Sequence, residues 1–243
     1  NDVDLQLAAG GIDATTVGVQ GLAISTGNGA VSLPVVGATK ALDSLTVTTS
    51  GEATLFGNIT TVNAIDMSAA TNKININGDV TVDSTAGSID LSGSDIEPNA
   101  DTDNLIIGSA GTTTVRVANI GDATEVASLT ITSTDGATLA GNITTVDDVT
   151  VTGDTIVGAD ITIATAGAAT NDIILATIND DAAAARRSLT LNAGAGAVTI
   201  TAVGGFRPLG TLDINAVATS FGGDITVDNL NADGITGVVT LAA

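Results

Sequence analysis

The chain has 243 residues and carries 27 Asp and Glu against six Lys and Arg, for a formal net charge of −21. A field of that sign repels nucleic-acid phosphates and anionic lipid, and no apolar run approaches the ~20 residues of a membrane-spanning helix. With neither Cys nor His present, disulfides, thiolate chemistry, Cys-based zinc sites and the usual nucleophile and base pairs are excluded together, and the composition predicts a protein that is not an enzyme.

Taken in order, the chain reads as short strands. VDLQL (Val3 to Leu7), LAIS (Leu22 to Ser25) and AVSL (Ala30 to Leu33) place an apolar residue at every second position, and Gly, Asn or Asp follows or lies close by, the pattern of strands punctuated by turns. Further runs begin at Leu45, Ala53, Ile59, Ile65, Ile74, Val80 and Ile89, closely and almost evenly spaced. Val, Ile and Thr dominate them, and β-branched side chains suit a pleated surface better than a helix. The one helical signal is NDDAAAARRS, Asn179 to Ser188, where acid at the start and base at the end complement a helix dipole.

A repeat organises these runs. SLTVTTSGEATLFGNITTV, Ser44 to Val62, returns as SLTITSTDGATLAGNITTV, Ser128 to Val146, with 13 of 19 positions identical. A weaker third copy, TLDINAVATSFGGDITV, runs from Thr211 to Val227. Residues 1–243 therefore read as one repetitive β domain of about three units of roughly 84 residues, with Leu45, Leu129 and Leu212 as equivalent points; periodicity of this kind is the signature of solenoids and arrays. The third unit is short: the stretches Ile59 to Leu91 and Ile143 to Leu175 are equal in length, but the corresponding Ile225 to Leu241 is only half as long. A solenoid tolerates the removal of a whole coil, because its neighbours stack on one another. The expected fold is an all-β, tandem-repeat parallel β-solenoid, with serial β-sandwich domains as the alternative. Only three aromatics occur, Phe56, Phe206 and Phe221, which suits a thin core stacked from Val, Ile, Leu and Ala.

Each unit carries a variable excursion at one phase, between Leu5 and Leu22, between Leu91 and Leu105, and between Leu175 and Leu189. The expectation is that these mark one lateral face where loops leave the scaffold. The second excursion contains Asp101 and Asp103, candidate oxygen ligands for calcium, and the third contains Asp180 and Asp181. Neither follows an EF-hand or a calcium-binding β-roll pattern, and acidic loops also arise simply as solvated surface. Asn58-Ile59-Thr60 and Asn142-Ile143-Thr144 are glycosylation sequons at one repeat phase, a coincidence that duplication also explains. Rows of Thr raise an ice-binding reading, but regular T-x-T ladders are not kept from unit to unit. No other cofactor is implied.

GNITTVNAIDMSAATNKININGDVTVDSTAGSIDLSG, Gly57 to Gly93, resembles the repeat regions of large secreted bacterial adhesins of the filamentous haemagglutinin type, which carry similar G-D-V-T-V and S-I-D-L rhythms. The composition is also similar to that of surface-layer proteins. The resemblance implies a right-handed parallel β-helix at the cell surface or outside the cell, and it transfers no functional residue. The expected role is mechanical: a subunit of a fibre, adhesin stalk or lattice that joins copies of itself by strand addition through open edges. The alternatives are a surface-layer or pilus-like subunit of β-sandwich domains, and a carbohydrate-binding or carbohydrate-cleaving solenoid.

Overall fold

The computed structural model describes residues 4–7, 10–181 and 186–241. Every strand pairing among them is parallel, and none of them is helical. The fold is a parallel β-solenoid of about ten turns. Serial sandwiches are set aside, because a sandwich is built from antiparallel pairs. The helix expected over residues 179–188 is not seen where it can be tested: Asn179 and Asp180 end the strand Ile173–Asp180, and residues 182–185 lie outside the described part of the chain.

Three ladders run the length of the solenoid, and the chain visits them in turn. Face one stacks Leu5, Val31, Ala53, Ile74, Ile96, Ile120, Ile143, Ile163, Leu191 and Ile214. Face two stacks Ile12, Val36, Ile59, Val82, Ile107, Ile131, Val151, Leu175, Ile200, Phe221 and Leu241. Face three stacks Leu22, Leu45, Ile65, Ile89, Val115, Ala137, Thr155, Ile178, Val203 and Ile225. Coils are unequal in length, with Thr155 stacking on Ala137 after a short circuit and Leu189 on Ile161 after a long one. Even the longest is much shorter than the sequence repeat.

The core forms because each strand alternates. In Leu45–Thr49, Leu45, Val47 and Thr49 are buried and Thr46 and Thr48 are not. Stacking repeats that choice in register, so apolar side chains meet apolar side chains one rung above and below. Val, Ile, Leu and Ala fill the interior almost alone. The recurring I-T-T-V segment makes a corner. Thr61 and Thr145 are buried, and their hydroxyls donate to the carbonyls of Asn63 and Asp147, 2.7 Å away in each case. A buried hydroxyl needs such a partner, and here the same bond fixes the bend.

Two expectations about the repeat are corrected. The shift from one unit to the next is not a whole number of coils: Leu45 lies on face three, Leu129 on face two and Leu212 on face one. The three excursions accordingly pass Ile12 on face two, Ile96 on face one and Ile178 on face three, rather than leaving from one lateral face. The stretch from Ile225 to Leu241 carries the chain only from face three to face two, which is less than a coil. The third unit is thus short by two strands and not by a whole coil, and the parallel ladders continue through it.

Candidate functional site

The acidic residues are placed by the stacking itself. A side chain just outside a strand sits one rung below the first backbone N–H of the next coil. The Oδ1 atoms of Asp4, Asp79, Asp148, Asp160 and Asp172 accept the N–H groups of Ala30, Asn104, Asp172, Ser188 and Ala197, all at 2.8 to 2.9 Å. These bonds hold coil to coil, and several of the 27 acids thus have a structural task at the corners. Asn104 donates both its backbone and side-chain N–H to Asp79, and together they hold that carboxyl below the 3.8 ordinary for aspartate.

Asp103 also bonds between coils, but to the preceding one. It is buried, and its Oδ2 accepts the N–H of Gly78 at 3.1 Å, one coil away, and that of Ala100 at 3.2 Å. Asp101 is exposed on the same turn. Among the described residues, no group of three or more acidic side chains is gathered so that it could hold a metal ion. Asn58 and Asn142 are both exposed, and their Oδ1 atoms accept the N–H of Thr81 at 2.9 Å and of Thr162 at 2.8 Å. Being one repeat apart, the two sequons fall on different faces.

Reading the sequence missed a loop that occurs once on each face. After Val36, Ile120 and Val203, the chain turns at Gly37, Gly121 and Gly204, with φ of 73°, 72° and 69°. Each loop is held by the residue beneath it. Asp13 Oδ1 accepts the N–H groups of Thr39 and Lys40, and those two bonds, Lys40 first, hold its carboxyl below 3.8. The Glu97 carboxylate accepts Asp122, Ala123 and Thr124 at 2.9 to 3.2 Å and is only 6% exposed. Asn179 Oδ1 accepts Phe206 and Arg207. Ile12-Asp13, Ile96-Glu97 and Ile178-Asn179 recur at nearly the repeat spacing, which was the available signal.

The surface offers shallow recesses. One of about 330 Å³ is lined by Gln6, Leu7, Ser32, Pro34 and Phe56. Another, of about 310 Å³, lies on face three beside the third loop, where Asp135, Asp154 and Asn179 surround Phe206 and Arg207. Phe206 is 81% exposed, and the Arg207 guanidinium lies 5.4 Å from the centre of its ring.

The outward rows differ between faces. Face one carries Glu52 above Lys73, paired at 3.6 Å, and later Asp213. Face three carries Asp66, Asp90 and Arg116 in one register. On face two the outward row from Ile106 onward reads Ile106, Thr130, Thr150, Ile174, Thr199, Ser220 and Thr240. Thr132, Thr152 and Thr201 lie at neighbouring outward positions on the same strands, and neither they nor the row from Ile106 to Thr240 carry a charge. Comparison with protein-family models, with curated proteins and with solved structures gives no match.

Proposed function

We propose that the protein is a non-enzymatic structural subunit, located outside the cell or on its surface, that joins copies end to end into a fibre, stalk or lattice. One observation carries the reading. The strand Val227–Leu241 pairs on one edge with Leu209–Phe221, and among the described residues no strand covers its other edge. Leu230, Val238, Val239 and Leu241 are exposed along it. An uncovered parallel strand with apolar side chains is a template for one more rung, and a strand of a second copy would supply it. A heterologous contact of this kind does not close on itself and yields open filaments.

The stack of coil-to-coil bonds favours a mechanical role. Load along the axis is shared among three ladders and the corner carboxylates, and no reactive His or Cys interrupts them. Negative-stain electron microscopy at rising protein concentration tests the proposal: filaments as wide as one solenoid are expected, and particles that stay one molecule long would overturn it. Val238→Asp should shorten the filaments, since it places a charge on the joining edge.

Saccharide binding is a second reading, and it rests on the recess beside Phe206. The exposed ring offers a platform for a sugar face, and Asp135 and Asp154 offer acceptors for its hydroxyls. Binding of soluble oligosaccharides that Phe206→Ala abolishes would support it, and a flat titration would remove it.

A further inference from the structure

We infer that face two, from the coil of Ile106 to that of Thr240, is a side-by-side pairing surface for a second copy of this chain. This goes beyond end-to-end joining and does not depend on it.

A chain of net charge −21 meets its own copy against repulsion over most of its surface. Approach costs least where both partners present no charge, and the outward row of face two from Ile106 to Thr240 meets that condition over seven successive coils. Thr130, Thr150, Ile174 and Thr199 form one continuous row because the ladder is parallel and in register, so the surface is repetitive. Ile106 and Ile174 are each 41% exposed there. Threonine methyls and isoleucine side chains of two such sheets interdigitate when the sheets pack about 10 Å apart.

The rim explains why the contact is conditional. Asp148 and Asp172 border the face at one corner and Asp135 and Asp154 lie beyond the other, so two copies bring acid near acid at the edges of a neutral centre. Repulsion at that distance is screened by salt. The face is also small: seven rungs at about 4.8 Å span roughly 34 Å, an area at the low end for specific contacts. Single copies therefore pair weakly and reversibly, and pairing strengthens as copies are joined along the axis, because each added length brings further rows into the same contact.

The chain contains no cysteine, so single introduced cysteines report contact directly. Thr130→Cys, Thr150→Cys and Thr199→Cys on face two are compared with Thr162→Cys and Thr190→Cys, outward threonines of face one, using a short bismaleimide. All five are near-isosteric changes at outward strand positions, and circular dichroism verifies folding. The expected result is about tenfold more covalent dimer from the face-two set, the ratio that corresponds to ~1.4 kcal/mol of preference, and a yield that rises with ionic strength. Equal yields from both sets, or no dimer from either at high concentration, overturn the proposal. So does a face-two set that stays monomeric while the wild-type protein depresses ice growth, which would make crystalline water the occupant. Electron microscopy separates this from end-to-end joining: cross-linked pairs without filaments reject the latter alone, and filaments that never pair, with equal cross-linking, reject this one.

Discussion

Leu45 and Leu129 are equivalent in the sequence repeat and lie on different faces of the solenoid. From Leu45 the chain takes eleven strand-to-strand steps to reach Leu129, three coils and two-thirds. A duplicated segment therefore returns rotated by one face, and its outward residues point in a new direction. The physical requirement is only that inward positions remain apolar, because all three faces share one core.

The glycines that open the three loops test that geometry. At Gly121 a Cβ would lie 2.3 Å from the carbonyl oxygen of Thr144, and its φ is 72°. At Gly78 φ is 87°, but nothing lies within 4 Å of the added carbon. Gly78→Ala should cost about 1 kcal/mol from left-handed backbone strain, whereas Gly121→Ala should cost a further ~1 to 3 kcal/mol from the clash. Urea unfolding of the two variants measures the difference.

Glu97 should prove a stability residue for its loop. Glu97→Ala leaves the N–H groups of Asp122, Ala123 and Thr124 without their carboxylate, at about 1 to 3 kcal/mol for the lost acceptor. Amide exchange should accelerate at residues 122–124 and stay unchanged in the loop held by Asp13. Glu97→Gln keeps an acceptor oxygen and should restore much of the protection.

Asp103→Ala should lower stability by about 1 to 3 kcal/mol, because the N–H groups of Gly78 and Ala100 lose their partner. The loss should be the same in calcium and in chelator. A drop seen only in the presence of calcium would instead mean that Asp103 acts as a metal ligand.

Acid should loosen the coils in a defined window. Asp13 and Asp79 are held below 3.8 in the folded protein. A depressed carboxyl contributes stability that is fully present above its unfolded value, near 3.9, and is lost as pH falls through the folded one. Thermal melts should therefore be flat in this contribution at neutral pH and decline below about pH 4. Asp79→Asn, which cannot ionise, should make the decline shallower.

Much of the fold was legible in the residues. The alternation in Leu45-Thr46-Val47 and the recurrence of Ser44 to Val62 at Ser128 pointed to a repetitive all-β fold, because a period of two and a repeat both survive any choice of register, and the parallel pairing decided between a solenoid and serial sandwiches. The roles of Asp79, Glu97 and Asp103 were not legible. Each acts on a backbone N–H in a neighbouring coil, far off in the chain. Coil length also varies, from the short circuit between Ala137 and Thr155 to the long one between Ile161 and Leu189, so no fixed spacing points to the partner. The same irregularity hid the neutral row of face two, whose members are scattered through the chain.

The sequence by itself determined that this chain would stack apolar rungs of Val, Ile and Leu, with almost no aromatics at its centre, under a strongly negative surface. Only the tertiary structure decided which outward residues share a face. A coil closes after three strands rather than after one sequence repeat, so equivalent residues part company, and acids that look alike in the chain become either corner bonds between coils or the rim of an uncharged face.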